Sequence, residues 1–248
     1  MRVLATYSIK GGVGKTSAAV NLGALSAKGG RRTLIWDLDP QGAASYLFRI
    51  KPRVKGGAGK LIRGKRDPGA ALKGTDIVGL DLLPADFSYR HLDLVLDARR
   101  RPLDALASVL DPLRDDYDVV ILDCPPSISL VSESVFRASD LLLVPLVPAT
   151  LSVRTFEQLR EFLARQDARA PDVLAFLSMV DRRKKLHREL VASLPEQLPA
   201  VAAAAIPSAA VVERMGVGRE PVVTGAPRSP AALAYGMLWA EVSERLLD

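Results

Sequence analysis

Cysteine is nearly absent: Cys124 is the only one in 248 residues. That excludes a disulfide framework within one chain and suits a reducing compartment. Histidine is almost as scarce, and His91 and His187 stand too far apart to show metal-ligand spacing, so no structural zinc site is expected. No run of about 18 apolar residues occurs, which removes a membrane-spanning helix. The first strand-like run begins at once, so no signal peptide is expected and the setting reads as cytoplasmic. What remains is ordinary for a globular chain, with 48% hydrophobic and 25% charged residues. The length suits one large domain over residues 1–248 with a sizeable core. A net charge of +6 leans toward a polyanionic partner, and its placement matters more than its total.

Strand-like apolar runs alternate with helical patterns, which predicts an α/β fold: a mostly parallel twisted sheet with helices on both faces. Strands are expected at 2–8, 33–36, 77–83, 118–122, 141–147 and 173–180, with a last short one at 201–206. The first helix is expected to run from the Gly-rich loop to about residue 27, where Gly29-Gly30 stops it. Others are expected over 153–165 and 184–194. Near the C-terminus, Ser229 supplies a cap, Pro230 a first turn, and Tyr235, Leu238, Val242 and Leu246 an apolar stripe. Residues 49–74 are rich in Gly, Lys and Arg and poor in apolar side chains, and read as an exposed basic loop or insertion.

The run Lys10-Gly11-Gly12-Val13-Gly14-Lys15-Thr16 follows a β-run and opens a helix, the context a phosphate-binding loop requires. Its glycines let backbone N–H groups curl around phosphates, and the helix N-terminus adds partial positive charge. Lys15 is placed to neutralise β- and γ-phosphate charge, Thr16 to ligate Mg²⁺, and Ser17 to donate to the α-phosphate. ATP with Mg²⁺ is the expected ligand, hydrolysed as a switch. Asp123 closes the apolar run Val119-Val120-Ile121-Leu122, where a carboxylate can hold the Mg²⁺ shell through water. Asp37 and Asp39 end a neighbouring strand, and either can orient the attacking water.

The set KGGVGKTS, DLDPQG and YDVVILDCPPS resembles the ParA branch of the ParA/MinD family of P-loop ATPases, with Lys10 as the extra lysine of a deviant Walker A motif. Weaker similarity runs through PLVPATLSVRTFEQL, LSMVDRR and the final Tyr-containing helix. The resemblance implies an ATP-bound sandwich homodimer in which Lys10 reaches the partner's nucleotide while Lys15 and Thr16 act in cis. It implies Asp39 as the residue that positions the hydrolytic water and Asp123 as the sensor of γ-phosphate and Mg²⁺. The nucleotide shell is then Gly11, Gly12, Val13, Gly14, Lys15, Thr16, Ser17 and Asp123.

Three outputs compete for such a switch. Non-specific DNA binding is one: Arg182, Arg183, Lys184 and Lys185 open a helix on which Lys184 and Arg188 share a face. Leu186, Leu190 and Leu194 are expected to point into the core. By resemblance, Arg183 stands where ParA-like proteins carry a DNA-binding arginine. Arg49, Lys51, Arg53, Lys55, Lys60, Arg63, Lys65 and Arg66, opposed by Asp67, form a second basic run, either a DNA surface or a solvated loop. Ile206-Pro207 lacks the arginines that follow it in many relatives, with Arg214 and Arg219 as nearby substitutes, and Pro148-Ala149-Thr150 stands where relatives often carry an acid.

Membrane cycling, as in MinD-like proteins, is the second output, and is disfavoured because Glu241, Glu244, Arg245 and Asp248 give the last helix an acidic polar face. The third is enzymology. A cluster bridging two subunits needs two cysteines per chain, and a P-loop ligase needs a substrate pocket. Because the phosphate loop comes so early, an N-terminal DNA-reading domain is not expected, which favours a separate ParB-like or other cargo-linked activator.

Overall fold

The computed structural model describes residues 1–165 and 170–247. Its strands are β1 (Arg2–Thr6), β2 (Thr33–Asp37), β3 (Lys73–Gly74), β4 (Leu80–Leu83), β5 (Val119–Asp123), β6 (Leu141–Leu146), β7 (Asp172–Val180) and β8 (Val201–Pro207). They form one sheet in the order β3-β4-β2-β5-β1-β6-β7-β8. All neighbours pair in parallel except β3, a short antiparallel edge on β4. The central strands β1, β2, β5 and β6 are almost wholly apolar because both faces are covered, and alternate residues feed two cores. Leu4, Ile35, Ile121, Leu143 and Phe176 enter one. Ala5, Trp36, Leu122, Val144 and Leu177 enter the other.

The helices among the described residues are α1 (Lys15–Lys28), α2 (Ala43–Leu47), α3 (Gly57–Ile62), α4 (Leu92–Asp97), α5 (Ala105–Leu110), α6 (Leu130–Ala138), α7 (Thr150–Ala164), α8 (Lys185–Gln197), α9 (Ala210–Glu213), α10 (Met215–Gly218), α11 (Val222–Gly225) and α12 (Pro230–Leu247). The first core lies under α1, α2 and α12, with Met215, Val222 and Val223 from the segment between β8 and α12. Helices α3 to α8 cover the second. Close approach of α1 to β2 depends on Gly23: a Cβ there would stand 2.6 Å from Ile35 Cδ1.

Four expectations are corrected here. Residues 49–74 do not form an open loop: Val54, Ala58, Leu61 and Ile62 are buried, and α3 packs on α4 and α5. Six helical residues with glycine on either side of the apolar ones are too short to show a 3.6-residue period, while Lys51, Arg53, Lys55, Lys60, Arg63 and Lys65 remain exposed. In α8, Leu186 is exposed, and His187 takes the inward place, its Nδ1 accepting from Asp181 N at 3.0 Å. On α12, Tyr235, Leu238, Val242 and Leu246 are buried as expected, and Ser229 Oγ accepts from Ala232 N. Glu241, however, is not part of an outer acidic face. Its carboxylate takes the N–H groups of Ala203 and Ala204 at 2.9 and 2.8 Å, which satisfies donors of the edge strand β8. Asp248, placed on the same face, lies outside the described residues. The fourth correction concerns α4 to α6, which were not among the expected elements. No helix among the described residues is long and apolar enough to cross a membrane.

Candidate functional site

The loops leaving β2, β5, β1, β7 and β8 at one edge of the sheet line a single cleft. Between β1 and α1 the chain turns through Gly12 (φ +70°) and Gly14 (φ +99°), conformations open to glycine at little cost. Gly14 has a second constraint, because a Cβ would lie 2.8 Å from Ser178 Oγ. No side chain caps α1, so its first amides stay free to receive an anion.

Lys15 is buried and its ammonium donates to the Lys10 carbonyl at 3.0 Å. Burial pushes its pKa down, opposed by the nearby charges of Asp123, Cys124 and Asp39. Lys10 itself is exposed, and among the described residues its ammonium has no hydrogen-bond or ion-pair partner. Thr16, Ser17, Gly11, Gly12 and Gly14 line the cleft, whose volume is about 610 Å³, within the usual range for a ligand site. Val13 faces inward instead.

Parallel register sets Thr6, Asp123 and Asp37 side by side on β1, β5 and β2. Asp123 is fully buried. Its Oδ1 accepts from Thr6 Oγ1 at 3.3 Å, and its Oδ2 has no donor. Asp37 is also buried. Its Oδ2 accepts from Ser45 N at 2.8 Å and Ser45 Oγ at 2.7 Å, while its Oδ1 has no donor. Burial raises both carboxyls above the ordinary range; the charge of Asp39 adds to the rise at Asp37, the charges of Asp37 and Asp39 add to it at Asp123, and the neighbouring Thr16 hydroxyl and Lys15 pull Asp123 the opposite way. Two orphaned carboxylate oxygens next to a threonine hydroxyl fit a hard divalent cation such as Mg²⁺, which binds few carboxylates and completes its shell with water and phosphate.

Asp39 differs from Asp37 in place and freedom. It lines the cleft, half-exposed, tied by one Oδ1 bond from Gln41 N at 2.9 Å. Because Leu38 turns into the core, Asp37 and Asp39 do share a side of the chain, yet only Asp39 opens on the cleft. Cys124 is buried, its thiol raised by burial and its Sγ 3.6 Å from the Leu122 carbonyl, consistent with a packing role.

The far end of the cleft is apolar, walled by Met179, Ile206, Pro207, Val212, Met215 and Tyr235. Sequence reading did not anticipate this wall, because it is assembled from β7, β8, α9, α10 and α12. Met179 reaches it through a left-handed backbone (φ +57°) at a register shift of β7 against β8. Tyr235 is buried beside Ser17. Asn21 of α1 ties the segment down, its amide nitrogen donating to Ser17 O and its Oδ1 accepting from Val223 N.

The same segment is clasped to α2 by two more left-handed residues. Arg219 (φ +54°) donates to Tyr46 O at 2.9 Å and stacks 4.4 Å over the Tyr46 ring. Arg49 (φ +60°) donates to Gly218 O at 2.9 Å and pairs with Asp76. Arg219 is therefore committed to this contact and does not substitute for the missing arginines after Ile206-Pro207. Arg219→Ala removes a charged hydrogen bond and a cation–π contact, and is expected to speed nucleotide release by about tenfold. Stopped-flow displacement of a fluorescent nucleotide measures it, and an unchanged off-rate would leave Asn21 as the main restraint.

The 182–188 cluster sits after β7, with Arg182, Arg183, Lys184, Lys185 and Arg188 all exposed. Arg183 chelates Asp181 through both carboxylate oxygens at 2.9 Å, and Arg188 donates to the carbonyls of Arg182 and Arg183.

Comparison with known proteins agrees with this geometry. The AAA domain family matches residues 1–174. The chromosome partitioning protein ParA of Caulobacter vibrioides is 32% identical over 200 residues, covering 77% of this chain and 74% of that protein. A structure described as cobyrinic acid a,c-diamide synthase from Mycobacterium smegmatis, with bound ADP and magnesium, is 29% identical with a TM-score of 0.81, covering 98% of this chain and 94% of that one. The cell division ATPase MinD of Pyrococcus furiosus shares the fold at 23% identity and a TM-score of 0.76, over 98% of each chain. A glycine loop with two lysines, carboxylates at the ends of the strands beside it, and this pattern of relatives together place the chain in the ParA/MinD family of P-loop ATPases.

Proposed function

We propose that the chain dimerises on binding ATP and Mg²⁺, holds DNA without regard to sequence in that state, and lets go after hydrolysis. Such a cycle segregates or positions a plasmid, a chromosome or a protein cargo, with the ATP-bound form gathered on the nucleoid. The observation that carries the reading is the edge of the sheet that bears the phosphate loop. Lys10 stands exposed there with no partner for its ammonium among the described residues, and the segments that follow β1, β5 and β6 at that edge expose Ile9, Ile128 and Leu151, the last two 75% and 67% accessible. Exposed apolar side chains and an unspent cation at one edge suit closure against a second copy, where exclusion of water strengthens charge neutralisation.

Thr16, and Asp123 through water, would hold Mg²⁺, which would supply neutralisation of the phosphate charge. Lys15 and the amides of residues 11–17 orient the phosphates in cis, and Lys10 of each copy completes the other's site. Asp39 is free to hold the attacking water. The buried Asp37, with Ser45 bound to it and Ala85 N bound to Ser45 Oγ at 3.0 Å, fixes the turn that presents Asp39. A ParB-like or other cargo-linked protein fits as the activator of such a cycle.

DNA contact is proposed at Arg182, Arg183, Lys184, Lys185 and Arg188. Arg183→Glu with Lys184→Glu is expected to weaken ATP-dependent DNA co-sedimentation and to lower the salt slope by about 2, at roughly 0.9 per lost phosphate contact. Unchanged affinity would move the contact to another surface. A second reading, ATP-dependent amidation of a small molecule, draws on the M. smegmatis synthase likeness. ATP-dependent retention on DNA favours the first reading, and its absence with ATP turnover intact favours the second.

A further inference from the structure

Folding pairs part of one basic cluster with acids and leaves another without them. After β7, Arg183 is paired with Asp181, Lys185 stands 3.6 Å from Glu189, and Arg188 is spent on backbone carbonyls. Elsewhere on the molecule, Arg63 follows the last residue of α3, and Arg99, Arg100 and Arg101 lie in the connection from α4 to α5. The Arg99 guanidinium donates to the Ile62 carbonyl, so the C-terminal end of α3 gathers the group from two distant parts of the chain.

These four arginines line an open cavity of about 410 Å³. Arg63, Arg66 and Arg99 share an adjoining cleft of about 230 Å³ in which Asp67 is the only acid. Among the described residues no carboxylate forms an ion pair with Arg63, Arg66, Arg99, Arg100 or Arg101. Arg66 is held by the Ala70 carbonyl at 2.7 Å while its buried Nε has no acceptor. Like charges collected without counter-ions repel, and an anionic ligand relieves that repulsion. Guanidinium forks match phosphate oxygens in pairs. No aromatic ring lines the cavity, and its openness suits a ligand that arrives as a chain, contacted along its backbone without base stacking.

We infer that Arg63, Arg99, Arg100 and Arg101 form a second phosphate-backbone site for duplex DNA, separate from the 182–188 cluster. The inference rests on the DNA-binding reading above. The two sites sit on different elements, α3 with the α4–α5 connection in one case and the segment after β7 in the other, and share no residue, so their contributions add.

The test is fluorescence anisotropy of the full chain with a random-sequence duplex, with ATP and Mg²⁺, across a salt series. In Arg63→Ala/Arg100→Ala/Arg101→Ala, Arg99 keeps its bond to α3, and the three replaced side chains make no hydrogen bond among the described residues. Affinity is expected to fall about tenfold or more near 100 mM salt, and the slope by about 2 to 3. DNA-free ATP turnover and thermal melting should not change. Lysine at the same positions is expected to keep the slope and lose less affinity, because charge remains while the fork is lost. Combined with Arg183→Glu/Lys184→Glu, the losses should add on a logarithmic scale. If the triple alanine variant binds DNA like the parent in the ATP state, the inference is overturned while the DNA reading stands. If the parent binds no duplex with any nucleotide, both fall. Poly-glutamate that matches the duplex in affinity, and needs the same arginines, would identify an acidic protein ligand and overturn the inference.

Discussion

Lys15→Ala should lower ATP affinity by about a hundredfold or more, the equivalent of losing a charge-assisted contact of roughly 3 kcal/mol. The side chain is buried between the loop and the carboxylates, donating to the Lys10 carbonyl. Its position is thus set before any ligand arrives, and little conformational entropy is lost on binding. Removing it has three consequences at once: the phosphate charge loses its nearest cation, the Lys10 carbonyl loses its donor, and Asp123 loses the ammonium that partly offsets its burial. Isothermal titration with ATP and Mg²⁺ measures the affinity. A normal dissociation constant in a folded Lys15→Ala protein would sink the assignment of the loop.

Asp39→Ala is the second large effect, and it should separate binding from turnover. ATP affinity is expected to stay within a few-fold of the parent, while hydrolysis falls by about 10² to 10³, the scale of a lost group that orients or activates the nucleophile. The protein should then accumulate as an ATP-bound dimer, visible by light scattering after size exclusion, with slow phosphate release. Asp37 supplies the contrast. Its carboxylate holds Ser45, and Ser45 holds Ala85, so Asp37→Ala should lower the melting temperature before it says anything about chemistry. Unchanged phosphate release in Asp39→Ala would transfer the water-positioning role away from that residue.

The chemistry-bearing loop was readable because its physics is local. Glycines that must turn, a helix that must begin, and a lysine and threonine at fixed offsets all lie within eight consecutive residues. The strand ends Asp37 and Asp123 were equally visible, since an apolar run that stops at one carboxylate marks the edge of a buried sheet. Other features were not legible. The wall of the cleft joins Met179 to Met215 and Tyr235, and the clasp joins Tyr46 and Arg49 to Gly218 and Arg219. Such pairings are decided by how helices pack on a sheet, and no short window of sequence contains both partners. Helix α3 escaped notice for a different reason: six residues carry too little periodicity to stand out from a glycine-rich basic run.

Composition and spacing alone determined that this chain folds as a covered parallel sheet with a glycine-rich loop and a helix N-terminus at the end of β1. Tertiary structure alone decided which carboxylate opens on the cleft and which is locked in the core, because neighbours such as Asp37 and Asp39 look alike until Ser45 claims one of them. It also decided which positive charges remain available. Formal charge is a sum over the sequence, whereas free charge is what folding leaves after Asp181 takes Arg183 and no carboxylate among the described residues takes Arg100 or Arg101.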